Sequence, residues 1–151
     1  MSKHTEILTD SIGYLTGRAH RGIREAMSVA LNNAGLDISP AQLPAIGCLI
    51  LRDGAPVNQC KMSEHMNIDR HRVSRIVKDL EGKGWINSIA NPHNKRENLI
   101  ELSQHGVKLL PIIRNCAKEI TKRAFNGCTA EERSITLDTL KKINNNLNND
   151  E

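Results

Sequence analysis

Four basic residues lie within nine positions in the middle of the chain, in the segment NIDRHRVSRIVKDLEGKGWI that spans residues 67–86. They are Arg70, Arg72, Arg75 and Lys78. The apolar residues between them recur at the i, i+3, i+4, i+7 spacing of one helix face: Val73, Ile76, Val77 and Leu80. This spacing predicts a helix with an apolar side that docks on a core. Guanidinium and ammonium groups on its other side can bind phosphate oxygens and base edges of a nucleic acid.

The excess positive charge of the chain is concentrated in the same region. The 151 residues include 21 Lys and Arg and 17 Asp and Glu, which gives a formal net charge of +4. Residues 69–96 hold seven of these basic residues and three of the acidic ones, so this window carries +4 and the remainder is neutral. A charge run is ordinarily a solvated helix face, but this concentration indicates a phosphate-binding surface.

Other chemistries find little support in the sequence. The four cysteines have the spacing of neither a zinc knuckle nor a disulfide framework, and no two histidines have the i, i+4 spacing of a helical metal site. No nucleophile-base pair or glycine-rich phosphate loop is visible, so we expect no metal, no cofactor and no enzymatic activity. The opening segment MSKHTEILTD is polar and no apolar run could span a bilayer, so we expect a cytoplasmic protein without a membrane partner.

Helical patterns precede the basic segment. Apolar spacing predicts one long helix over residues 5–33. A second helix, over residues 41–54, is predicted to begin with Ser39 as its cap and Pro40 at its first position and to end at Gly54.

A short helix over residues 58–66 is predicted next, with Asn58 as its cap. Residues 67–68 form a tight link, and Asp69 caps the basic helix. A short helix joined by a tight turn to a basic helix is a helix-turn-helix.

Two strands are predicted after the basic helix, over residues 85–90 and 97–102, around the turn segment NPHNKR. This basic hairpin makes the helix-turn-helix a winged one. A further helix over residues 103–125 contains Pro111 and is stopped by Gly127. Thr129 begins a last helix with the capping-box pattern TAEE.

The predicted fold class is therefore mainly α with a small β-hairpin wing. It divides into an N-terminal dimerisation helix (1–35), a winged helix-turn-helix DNA-binding region (36–104) and C-terminal dimerisation helices (105–151). The two long terminal helices carry more apolar surface than one small winged domain needs to cover itself. We therefore expect a homodimer, which would present two basic helices about 34 Å apart to a palindromic site on double-stranded DNA.

The stretches HRVSRIVKDLEGKGWI and NPHNKRENLIELSQHG resemble the MarR family of bacterial transcription regulators. The family pattern is a recognition helix with Thr/Ser-Val-Ser/Thr-Arg-Leu-Val, then Leu-Glu-x-x-Gly, a wing with Asp-x-x-Asp-Arg-Arg, and a downstream Leu-Thr-x-x-Gly. The resemblance implies a homodimer formed by the N- and C-terminal helices, Arg75 on the recognition helix, and Arg96 on the wing. Wing arginines of the family commonly enter the minor groove. Asn94 stands where the family carries an Asp, so we expect a less rigid wing.

The residues that we predict to bind DNA are therefore polar residues of the helix-turn-helix and the wing. An arginine in the major groove can make bidentate bonds to guanine, whereas Lys78 and Lys95 are expected to hold phosphates. The full set is Asn58, Arg70, His71, Arg72, Ser74, Arg75, Lys78, His93, Asn94, Lys95 and Arg96.

A small-molecule effector pocket is a further implication of the resemblance. Tyr14, Arg18 and His20 could line it, although we prefer the alternative that Tyr14 fills the core and the other two face water. Cys60, near the start of the short helix, is the best candidate for an oxidant-sensing thiol, although a buried structural cysteine is the commoner case. Cys48 lies in an apolar run and is expected in the core.

These observations predict a homodimeric DNA-binding transcription regulator, a repressor that a small ligand or oxidation relieves. The alternative is a winged-helix protein-interaction module without sequence-specific DNA binding. A steep salt dependence of DNA binding would disfavour that alternative.

Overall fold

The structure is a computed structural model that describes residues 9–52 and 54–148. It divides into two compact units, Met1–Ala117 and Lys118–Glu151. The elements are α1 (Ile12–Asn33), α2 (Leu43–Ile50), β1 (Val57–Asn58), α3 (Gln59–Met66), α4 (Arg70–Gly82), β2 (Ile86–Ala90), β3 (Asn98–Leu102), α5 (Gln104–Ala124) and α6 (Ala130–Asn148). The mainly helical fold class with a small hairpin is confirmed. Within the described ranges, no helix is both long enough and apolar enough to cross a membrane.

The sheet is antiparallel, with strand order β1-β3-β2. The predicted hairpin is confirmed within one residue at each end: Ile86 pairs with Leu102, and Ala90 pairs with Asn98. β1 was not predicted, because a strand of two residues is too short to show an alternating pattern. Val57 pairs with Ile100 and so attaches the start of the helix-turn-helix to the hairpin.

Aliphatic side chains form the core of the first unit, as a chain with three aromatic residues requires. The apolar face of α4 is part of this core, since Val73, Val77 and Leu80 are buried. The other fully buried large side chains are Leu31, Ile46, Leu49, Met62, Ile86, Ile100 and Val57. Burial of one such side chain contributes roughly 1.5–3 kcal/mol, so the core holds α4 firmly in place.

The first two helices begin later than predicted. Ser11 caps α1 by accepting a hydrogen bond from the backbone N–H of Tyr14 at 3.3 Å, so a new helix begins at Ile12. The prediction of one helix from residue 5 was wrong at residues 10–11, because apolar spacing does not register a cap; residues 5–8 lie outside the described part. α2 begins at Leu43 rather than at residue 41.

The predicted end of α2 is close to the observed one. The helix stops at Ile50, and Gly54 follows in the left-handed region, with φ of 79°. Its N–H donates to the carbonyl of Leu49 at 3.1 Å. A glycine suits this position because it has no Cβ to strain the left-handed conformation.

The predicted capping box of α6 is confirmed. The Thr129 hydroxyl accepts from the N–H of Glu132 at 3.1 Å, and the Glu132 carboxylate accepts from the N–H of Thr129 at 2.7 Å. The bond from the Thr129 backbone lowers the pKa of Glu132. The hydrogen bond to the Glu132 carboxylate therefore stabilises the helix fully at pH values above the ordinary pKa of a glutamate. This stabilisation is lost as the pH falls through the lower pKa that Glu132 has in the folded state.

We expect Thr129→Ala to lower the free energy of unfolding by about 1 kcal/mol, since an N-cap bond is lost. Urea unfolding followed by circular dichroism measures this change. Thr136→Ala is the matched control, because Thr136 lies within α6 and its hydroxyl donates to the carbonyl of Glu132 within the same helix. An equal loss in the two variants would show that the cap contributes nothing specific.

Candidate nucleic-acid interface

Two caps and a left-handed residue shape the helix-turn-helix formed by α3 and α4. Asn58 Oδ1 accepts from the N–H of Lys61 at 2.8 Å, and Asp69 Oδ1 accepts from the N–H of Arg72 at 2.9 Å, so both predicted caps are confirmed. Asn67 has a φ of 50°, a conformation that asparagine tolerates better than most residues. Ser63 donates to the carbonyl of Ile68 at 2.5 Å and closes the turn.

The carboxylate of Asp69 is ionised wherever the protein is folded near neutral pH. The backbone hydrogen bond from Arg72 is the main cause that lowers the pKa of Asp69. Its contribution to the start of α4 is thus complete above the ordinary pKa of an aspartate. It is lost only as pH falls through the lower folded value.

The polar side of α4 faces solvent. We call this set of residues the recognition surface: Arg70, His71, Arg72, Ser74, Arg75 and Lys78. All of them are exposed except Ser74, which is half-buried. The structure thus brings together the six α4 residues that we predicted to bind DNA, and their contact with DNA stays a prediction.

Ion pairing separates one cation of the basic window from the others. Lys83 lies 3.3 Å from Asp37 and 3.4 Å from Asp79. Among residues 9–52 and 54–148, none of the other six basic residues of the window has an ion pair. Their charges are therefore available to an external anion. The sequence did not single out Asp37 as a partner of Lys83, since the two residues are 46 positions apart.

The wing loop, residues 91–97, is held by its own asparagines. Asn94 Oδ1 accepts from the N–H of Arg96 at 3.1 Å, and Asn91 Oδ1 accepts from the N–H of His93 at 3.0 Å. Asn91 Nδ2 also donates to Glu97 at 3.1 Å. Asn94 thus bonds through its side-chain oxygen, an acceptor that an aspartate at this position would also provide.

The remaining wing residues that we predicted to bind DNA, His93, Lys95 and Arg96, lie on this loop and are exposed. Asn91 was predicted as a turn former, but not as the residue that bonds to both His93 and Glu97. Its place as the first residue of the turn was the available signal, because such asparagines bond to the backbone two residues on.

The three candidate pocket residues lie on α1. Arg18 donates to the Tyr14 hydroxyl at 3.2 Å, and this bond raises the pKa of Arg18. Tyr14 is 41% exposed, so our preferred alternative, that it fills the core, is wrong for the single chain. Arg18 and His20 face water, as that alternative expected. Tyr14 and Arg18 line one open groove, whereas His20 lines a neighbouring one.

The cysteines differ in their surroundings. Cys60 is half-buried at the start of α3; its sulfur accepts from Nη2 of Arg70 at 2.9 Å and donates to Glu64 at 3.4 Å. Cys48 is buried as expected, and burial raises the pKa of its thiol. A redox role for Cys60 stays a prediction.

Comparison with known proteins agrees with this geometry. Residues 48–98 match the model of the MarR family. The chain is 28% identical over 129 residues, 85% of its length and 77% of the relative's, to the uncharacterized HTH-type transcriptional regulator YdgJ of Bacillus subtilis. It is also similar to an uncharacterized SlyA-like transcription regulator from Listeria monocytogenes, with a TM-score of 0.82, 26% identity and coverage of 93% and 91% of the two chains.

A third comparison shows the same fold in a protein that was solved with DNA. A cysteine variant of MarR from Escherichia coli, complexed with operator DNA, aligns with a TM-score of 0.75 and 21% identity over 95% of this chain and 99% of that one. Residues 48–98 are therefore similar to the MarR family, and the chain as a whole is similar to proteins described as transcriptional regulators.

Proposed function

We propose that the chain is a homodimeric repressor that binds a palindromic promoter site through the recognition surface and the wing loop. The observation that carries this proposal is the two-sided character of α4. Val73, Val77 and Leu80 are buried, while the guanidinium groups on the opposite side are exposed and have no ion pair among the described residues. A helix of this kind fits the major groove, where an arginine can pair with guanine O6 and N7.

The unpaired charges favour DNA over a protein partner. A phosphate backbone supplies regularly spaced anions, and each phosphate that is neutralised releases counterions, which drives binding at low salt. Lys141 on α6 has an ion pair with Asp138 at 3.0 Å. No cation of the recognition surface, by contrast, has such an ion pair within the described part of the chain.

Exposed apolar side chains on the terminal helices support a dimer. Water-exposed leucine and isoleucine side chains in this number are unfavourable unless another surface covers them, and a second copy of the chain is the simplest cover. On α1 they are Ile12, Leu15, Ile23 and Val29. On α6 they are Ile135, Leu137, Leu140 and Leu147.

Repression follows from occupancy of the promoter, because a bound dimer blocks RNA polymerase. Relief requires a state in which the two recognition surfaces no longer match successive major grooves, about 34 Å apart. An effector can shift the dimer to that state only if it binds that state more tightly. We propose that this effector is a small ligand bound near Tyr14 and Arg18, or an oxidant that acts on Cys60.

The experiment is fluorescence anisotropy with a duplex from upstream of the chain's own coding sequence and with a scrambled duplex of equal composition. Tight, salt-sensitive binding that prefers the first duplex is expected. Light scattering on the same sample measures the mass, which should be twice 16.8 kDa. Absence of binding to either duplex at low salt would overturn the proposal and favour a protein-interaction module.

Lys95→Ala tests the phosphate role of the wing. We expect the affinity to fall for both duplexes alike and the slope of log K against log salt to shrink by about one unit per copy of the chain. Lys108→Ala, an exposed lysine of α5 outside the basic window, should leave the slope unchanged. A change in preference between the duplexes with an unchanged slope would show that Lys95 contacts bases.

A further inference from the structure

A buried side chain connects the start of α2 to the recognition helix. Gln42 is 4% exposed, and both ends of its amide have partners. Oε1 accepts from the backbone N–H of Ser39 at 2.8 Å, and Nε2 donates to Oδ2 of Asp79 in α4. Because a backbone N–H only donates and a carboxylate only accepts, these partners allow one orientation of the amide.

A second connection reaches the same helix from the link between α1 and α2. Nζ of Lys83, the residue that follows α4, lies 3.4 Å from Oδ2 of Asp79 and 3.3 Å from Oδ2 of Asp37. It also donates to the carbonyl of Asp37 at 3.1 Å. Asp37 and Ser39 both belong to the link, so Gln42 and Lys83 fasten the end of α4 to one segment.

Asp79 lies on the side of α4 that carries two arginines of the recognition surface. Seven residues at 100° each place Asp79 about 20° around the axis from Arg72 and about 10 Å along it. Arg75 precedes Asp79 by one helical turn. A rotation of the helix at Asp79 therefore moves Arg72 and Arg75 by the same angle.

Directional bonds restrict that rotation in addition to apolar packing. Val73, Val77 and Leu80 hold α4 against the core, but the hydrophobic effect has no preferred direction. Hydrogen bonds weaken steeply when donor and acceptor are misaligned. The bonds at Asp79 thus add an angular restraint to a helix that the apolar stripe already holds against the core.

We propose that Gln42, Asp79, Lys83 and Asp37 form a positioning clamp that fixes the rotation of α4 and so sets how strongly the chain prefers one DNA sequence. The inference rests on the proposed function of this helix. The clamp acts through Arg72 and Arg75 and makes no base contact itself. Base-edge bonds carry the sequence preference, while phosphate contacts are insensitive to sequence, so loss of the clamp lowers discrimination more than nonspecific affinity.

The test is the ratio of dissociation constants for the scrambled and the upstream duplex, measured by anisotropy at one salt concentration. Asp79→Ala is expected to lower this ratio by roughly tenfold, within the range seen for coupled polar contacts. Binding to the upstream duplex weakens in this variant. Loss of an acidic charge alone would instead strengthen binding to both duplexes and leave the ratio unchanged.

Two further variants separate the clamp from folding and from charge. The Asp37 side chain is 90% exposed, so Asp37→Asn is not expected to compromise the fold, yet it should lower the ratio. Gln42→Leu changes no charge and should lower it as well. Combined with Asp79→Ala, it should lower the ratio no further, because both changes remove the same bond.

Asp138→Ala is the matched control, since Asp138 pairs with Lys141 on α6 and has no part in the clamp. Its ratio should equal that of the unmodified chain. A folded Asp79→Ala and a folded Asp37→Asn with unchanged ratios would overturn the clamp while leaving the regulator proposal intact. An unmodified chain that does not discriminate between the duplexes would overturn both.

Discussion

Arg75→Ala is expected to raise the dissociation constant for the preferred duplex by about fivefold to 150-fold per copy of the chain, since a bidentate arginine–guanine contact is worth about 1–3 kcal/mol. Arg75 is exposed in the middle of α4, between the buried residues Val73 and Val77. It has no ion pair among the described residues, so the substitution removes no internal interaction of that kind. Anisotropy with both duplexes measures the effect, which should be larger for the preferred one.

Arg114→Ala is the control for this prediction, because it removes an exposed arginine of α5 that lies outside the basic window. The affinity of the Arg114→Ala variant for both duplexes should change little. Lys78→Ala provides a second comparison, as a phosphate contact should weaken binding to both duplexes equally. If Arg75→Ala behaves like Lys78→Ala, then Arg75 holds the backbone and another residue reads the bases.

Gly106→Ala is expected to lower the free energy of unfolding by about 1–3 kcal/mol, the usual cost of overpacking, and the backbone contact places it at the upper end. A Cβ at Gly106 would collide with the carbonyl oxygen of Trp85. That oxygen is backbone and is held by the N–H of Ser103 at 3.0 Å, so it cannot move aside easily. Urea unfolding can be followed by the fluorescence of the single tryptophan, Trp85.

Gly47→Ala is the matched control in α2. A Cβ there meets no atom within 4 Å, so the same change should stabilise the helix by about 0.5–1 kcal/mol. The two variants thus have opposite expected signs. A Gly106→Ala chain as stable as the unmodified chain would show that α5 and the link between α4 and β2 approach less closely than the structure has them.

The elements around the recognition surface could be predicted because their signals are local. The caps Asn58, Asp69 and Thr129 each act on a backbone N–H three residues along, so the short sequence pattern contains both partners. The buried face of α4 follows from its apolar spacing alone. The wing hairpin follows from a turn segment between two strand-like segments, and the predicted bounds of its strands were correct within one residue.

The positioning clamp could not be predicted in the same way. Gln42 and Asp79 are 37 positions apart, and nothing near either residue marks it as a partner of the other. The role of Gly106 could not be predicted from the sequence either. The resemblance placed a glycine in the downstream motif, but only the structure shows that the carbonyl oxygen of Trp85 leaves no room for a Cβ there. Tyr14 was misjudged because an aromatic residue on an apolar stripe usually packs inside, whereas α1 leaves it partly exposed.

Selection from a pool of random duplexes tests the central claim most directly, because it requires no knowledge of the regulated promoter. The purified chain is mixed with the pool, and bound duplexes are recovered, amplified and sequenced over several rounds. The account predicts an inverted repeat with half-site centres about one helical turn apart, and no such repeat when Arg75→Ala is used. Enrichment of no common sequence, or of the same repeat by the variant, would contradict the claim that α4 reads DNA.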